Sequence, residues 1–128
     1  MNTIKQLIMV SILVIIAAPA YSDSFSTFLK CEQDDDASAK DLEAVASAWL
    51  KAAKKQKGGA NLGVELHFPV VAQMGEMDFS FVITAPSLEQ WGTFMDGYEG
   101  SPASKMDKEW DELAACPDSA LMRSVSVK

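Results

Sequence analysis

The chain has 128 residues, two cysteines and a formal net charge of −7, enough for one domain with one core and too little for two. Its acidity excludes the ordinary electrostatics of nucleic-acid or anionic-membrane binding, since both recruit Lys and Arg. An even cysteine count, with a single His and no CxxC spacing, argues for a disulfide before a metal site or a nucleophile.

The first 22 residues read as a signal peptide. Lys5 supplies the positive start, and Leu7 to Ala18 form an apolar run of about twelve residues, the length of a signal core. A membrane span needs roughly 20. Small residues at Ala18, Ala20 and Ser22 offer cleavage after Ala20 or after Ser22, and the second starts the mature chain at the polar Asp23. Residues 23–128 are then one periplasmic or secreted domain with no membrane attachment after cleavage. Loss of Lys5 leaves it at a charge of about −8, which serves solubility.

Phe25 to Glu32 is expected to form a first strand, with Phe25, Thr27, Leu29 and Cys31 on one face and Phe28 and Lys30 on the other. The Asp34-Asp35-Asp36 triplet breaks it. These acids lack the alternating oxygen ligands and glycine of a calcium loop, and acids ahead of a helix suit its dipole. Ser38 is placed to cap that helix, with Asp41 as a capping-box partner. Leu42, Val45, Ala46, Trp49, Leu50 and Ala53 form its apolar stripe. Lys51, Lys54, Lys55 and Lys57 gather where cations suit the helix end, and Gly58-Gly59 stops it.

From Leu62 to Val71 the period is two, with Pro69 marking an edge strand. A turn at Gln73 to Met77 should return the chain antiparallel into a strand from Asp78 to Thr84. There Phe79, Phe81 and Ile83 alternate with Ser80, Val82 and Thr84. Pro86 ends this strand, and Ser87 with Gln90 is a capping box. Leu88, Trp91, Phe94, Met95 and Tyr98 make the next helical stripe. Ser101-Pro102 restarts a helix carrying Ala103, Met106, Trp110 and Leu113, with its acids and lysines outward, ending at Cys116-Pro117-Asp118. Leu121, Val125 and Val127 mark a last strand that puts Arg123 on its apolar side.

This β-α-β-β-α-β order is the split βαβ arrangement, an α+β sandwich of one four-stranded sheet with helices on one face. The first and third strands should be central and parallel, and the last strand antiparallel beside the first. Cys31 and Cys116 then fall close together, so the topology and the expected disulfide agree.

In element order, over most of the mature domain, the chain resembles the dimeric α+β barrel group of ferredoxin-like folds. That resemblance implies two sheets paired face to face around a cavity, and in some members monooxygenase or haem-degrading activity. The haem-degrading branch uses an Asn, a Trp and a His. Here the only mature Asn is Asn61 in a loop and the only His is His67 on a strand, so no catalytic role and no cofactor carries over.

The open sheet face is the expected functional surface. Phe28, Val71, Val82 and Met122 give it an apolar strip beside His67, Ser80 and Thr84, suited to a homodimer or a small apolar ligand. This points to a non-enzymatic binding or interaction domain. The alternative is a small barrel-type enzyme acting on an apolar molecule, monooxygenase-like, with His67 as base and Glu65 orienting it. Phe94, Met95 and Tyr98, with Met74 and Met77, also admit an apolar pocket, though at helical spacing they read first as core.

Overall fold

In the computed structural model, which describes residues 23–71 and 77–125, the central element is β1 (Ser24–Gln33). It is followed by α1 (Ala39–Ala53), β2 (Gly63–His67), β3 (Phe79–Ala85) and α2 (Leu88–Asp96). A 3-10 turn at Ser104–Met106 leads into the short α3 (Asp107–Asp111), and β4 (Ala114–Ser124) closes the sheet. The signal stretch 1–22, Met74 and the turn around it, and Val127 lie outside the described residues.

The sheet order is β2-β3-β1-β4, so β1 and β3 are central, but they run antiparallel rather than parallel. The reason is topological. The crossover through α1 makes β1 and β2 run the same way, and β3, pairing antiparallel with β2, must oppose both. The fold is therefore an antiparallel α+β sheet with helices on one face.

Register assigns the two faces. Phe25, Thr27, Leu29 and Cys31 stand opposite Ala85, Ile83, Phe81 and Phe79, and these pairs face the helices. Leu42, Ala46, Trp49 and Ala53 of α1 and Phe94 of α2 are buried against them. Trp49 meets Phe81 and Phe94 edge-on, each at 5.8 Å between ring centroids. Burying a ring of this size stabilises by about 3 kcal/mol.

Both helix starts form where the sequence puts them. Ser38 Oγ accepts from Asp41 N, and Asp41 Oδ2 accepts in turn from Ser38 N, the reciprocal capping box. At α2 only half of it forms. Ser87 Oγ accepts from Gln90 N, but the Gln90 amide donates to Gly58 O at 3.1 Å and so ties α2 to the end of α1. Gly58 is needed there: its φ is +81°, and a Cβ would stand 2.5 Å from Phe94 N.

Several element limits differ from expectation. β2 ends at His67, so Pro69 lies beyond it and Val70 and Val71 are 97% and 92% exposed. Phe68 leaves the strand but still packs on Phe79 at 5.5 Å. The helix expected to reach Cys116 stops at Asp111, and β4 begins at Ala114. Pro117 is accommodated because the register shifts between Lys30 and Glu32, where Lys30 pairs Asp118 and Glu32 pairs Ala115. Cys31 thus faces both Cys116 and Pro117, a β-bulge, where a missing N–H costs no ladder bond.

Cys31 and Cys116 are disulfide-bonded across this bulge, 85 residues apart in sequence. Chain entropy values such a loop at about 4.5 kcal/mol as an upper figure. Urea unfolding of a Cys31→Ser/Cys116→Ser double variant should show a loss of about 2–4 kcal/mol. A loss below about 1 kcal/mol would mean that the sheet holds this register without the bond.

Candidate functional site

The residues assigned to the open face mostly gather there. β1 presents Phe28 beside Val82 of β3, and Val82 in turn pairs with Glu65 of β2. Ser80 pairs with His67, Thr84 with Gly63, and Met122 with Ser26. Val82 is only 2% exposed, sealed by its neighbours although it belongs to the face away from the helices. Val71 does not join this surface, because β2 ends four residues before it. Met77 does join, accepting from Ser80 Oγ.

His67 and Glu65 also meet: Nε2 and Oε2 are 2.7 Å apart, and His67 lies edge-on to Phe28 at 6.4 Å. Both side chains are half or more exposed, at 50% and 66%. In water such a pair is worth at most about 1 kcal/mol. Neither residue lines the cavity of about 580 Å³.

The cavity is on the other side of the sheet. It holds about 580 Å³ between the helical layer and the inner face of β1, β3 and β4. The floor is Thr27, Leu29 and Ile83, with Cys116, Ser119 and Leu121 of β4. Trp49 of α1 and Trp91, Phe94 and Met95 of α2 form one wall, and Tyr98 follows them. Asp107, Trp110 and Asp111 of α3 form the other. The cavity exists because the second helical segment is broken. Gly97 and Gly100 end α2, and Gly100 has a φ of +74°, so α3 starts afresh and stands off from α2.

A hydrogen-bond relay crosses the cavity wall. Trp49 Nε1 donates to Tyr98 Oη at 3.0 Å, and Tyr98 Oη donates to Asp107 Oδ1 at 2.6 Å. Burial, and then the Asp107 bond, push the Tyr98 phenol well above its ordinary value. Burial also raises the Asp107 carboxyl, the Tyr98 bond opposes this, and the Asp111 charge adds to the rise. Opposite it on the floor, Thr27 Oγ1 is buried with no hydrogen-bond partner among the described residues.

Sequence reasoning named Phe94, Met95 and Tyr98 for a pocket, and they line this one. It missed Asp107 by sending the acids of α3 outward. The signal was present: Asp107 lies four residues after Ala103 and three before Trp110, on the same stripe as both. Among the described residues no group of three His, Cys, Asp or Glu could hold a metal ion, the Asp34–Asp36 triplet included.

No protein-family model matches the chain, and no curated protein sequence does. Solved structures do. A dabb family protein with a ferredoxin-like fold from Mesorhizobium loti covers 83% of this chain and 98% of its own, at TM-score 0.51 and 8% identity. The hydroxynitrile lyase from Passiflora edulis covers 84% and 96%, at TM-score 0.51 and 11% identity. The fold is ferredoxin-like. The likeness to the dimeric α+β barrel group is one of fold, and at these identities it carries nothing about activity.

The Asp107 geometry fixes the sign of a pH effect. With its folded-state carboxyl raised above the ordinary 3.8, the native state binds more protons than the unfolded chain in the window just above that value. Stability from this group therefore falls as pH rises through the window. Asp41, lowered by hydrogen bonds from the Ser38 hydroxyl and backbone, acts oppositely: its contribution is present above 3.8 and lost as pH falls. Comparing wild type with Asp107→Asn cancels Asp41. From pH 4 to 7 the urea midpoint of wild type should drop relative to that of the variant. A constant difference would show that Asp107 is not held in this environment.

Proposed function

We propose that the protein is an exported small-molecule-binding domain that holds an apolar, ring-sized ligand between its sheet and its helices. The observation that carries this reading is the cavity itself. About 580 Å³ lies within the range of drug-sized ligand sites, and aromatic walls with a few convergent polar groups are their usual lining. Perturbed titrating groups in the same space, Tyr98 and Asp107, add to it. Export is supported by the pattern of residues 1–22 and by the disulfide, which suits an oxidising compartment. Among the described residues no helix is long and apolar enough to cross a membrane.

All three tryptophans of the chain line the cavity, so occupation should change their fluorescence. Mature protein titrated with naphthalene-sized apolar probes should give saturable changes. Leu29→Trp, which fills the floor, should weaken them about tenfold or more, in line with the cost of overpacking. Saturation with the same affinity in that variant would move the binding elsewhere.

The open face supports a second role, association with another copy of the chain. Phe28, Ala120 and Met122 make it apolar, with Met122 49% exposed, and such a face in an exported domain is solvated or covered by a partner. In sedimentation at about 100 µM the mature protein should run as a dimer and Phe28→Asp as a monomer, since an unpaired buried charge costs several kcal/mol. A monomeric wild type would overturn this.

One observation favours an enzyme instead. Tyr98 donates a short hydrogen bond to Asp107 inside the cavity, within the reach a general acid or base requires. His67 and Glu65 lie on the opposite face and are not part of it. Turnover of a bound probe that vanishes in Tyr98→Phe while binding persists would establish catalysis; binding without turnover keeps the first reading.

A further inference from the structure

The lining of the cavity has a charge signature. Its ionisable side chains are Tyr98, Asp107 and Asp111, and no Lys, Arg or His is among its described lining residues. Asp107 and Asp111 are one helical turn apart on α3, so their carboxylates project to the same side. Across the cavity from them are Trp49 and Trp91, and Trp110 stands beside them on α3; tryptophan is the ring type whose face attracts cations most strongly. A helix start accounts for an acid at Asp107. It does not account for Asp111, which ends the same helix, where an acid opposes the dipole.

We infer that the ligand is an organic cation, an ammonium group carried on an apolar or aromatic body. This rests on the cavity being the binding site and adds the class of molecule it takes. The ammonium would lie between the α3 carboxylates and the tryptophan faces, with the apolar body over Leu29 and Ile83. Its charge answers the acidity of this wall. The Asp107 carboxylate is partly buried and repelled by Asp111, and its hydrogen bond from Tyr98 brings no positive charge. A carboxylate ligand would meet like charge with no cation to offset it. A neutral ligand would leave the two α3 carboxylates without a counter-charge.

The test uses three probes of one shape that differ in charge: phenylbutylammonium, phenylbutanol and phenylpentanoate. They are titrated into mature, disulfide-bonded protein at pH 7 and low salt, following tryptophan fluorescence. The ammonium should bind about tenfold tighter than the alcohol, the size of effect expected from cation–π and carboxylate contact, and the carboxylate weakest. Asp111→Asn, an exposed substitution that leaves the Tyr98–Asp107 bond in place, should remove part of this preference. Asp107→Asn/Asp111→Asn should level the ammonium with the alcohol, with circular dichroism confirming that both variants fold. Equal binding of all three, or tightest binding of the carboxylate, overturns the cation inference and leaves the cavity as the site. If none of the probes perturbs the tryptophans, the cavity reading falls with it.

Discussion

Trp49 is the contact on which the rest of the helical layer is hung. Its ring packs edge-on against Phe81 of the sheet and Phe94 of α2, and its indole N–H is spent on Tyr98. One side chain on α1 therefore fixes the height of α1 over the sheet, the approach of α2, and the position of the phenol that reaches α3. A buried indole must satisfy its N–H. Here the partner is a hydroxyl, which needs an acceptor of its own, and Asp107 supplies it. The cavity wall is the outcome of this sequence of obligations.

What was legible in the residues follows from which forces are local. Strand alternation in Phe79 to Ile83 and the Ser38–Asp41 capping box depend on neighbours a few positions away, and they appear where the pattern puts them; α1 stops at Ala53, ahead of the glycines at 58 and 59. The pairing of Cys31 with Cys116 was legible through topology. Distant geometry was not. Gln90 has the right spacing for a capping box, but Gly58 offers its amide a better-placed carbonyl from another element. Pro117 looked like a terminator because no local signal announces a bulge. The running direction of β3 against β1 is a consequence of the crossover and hairpin together, and no residue on either strand encodes it.

The candidate site divides the same way. Alternation sorted the open face correctly for Phe28, Ser80, Val82, Thr84 and His67, and failed for Val71 because the strand ends early. The His67–Glu65 pair formed as drawn, yet exposed to water, where such a contact adds little stability. The cavity residues come from six elements, and their convergence is a tertiary fact. Asp107 shows the limit most clearly: an acid on an apolar stripe is a local anomaly, but only Tyr98, nine residues earlier across a broken helix, makes sense of it.

The disulfide connects these two levels. Cys116 lines the cavity floor, and Trp110 Nε1 donates to its Sγ at 3.3 Å, while Cys31 is fully buried beneath the central strand pair. The bulge turns β4 so that Cys116 faces inward, and the bond then holds that turn in register with β1. Because Trp110 also meets Phe81 edge-on at 4.8 Å, the bridge bears on the wall that carries Asp107 and Asp111 as well as on the sheet. A covalent link whose loop spans most of the domain restricts the unfolded chain wherever it is placed. Placing it at the rim of the cavity additionally fixes one wall against the floor, which lowers the ordering cost of whatever binds between them.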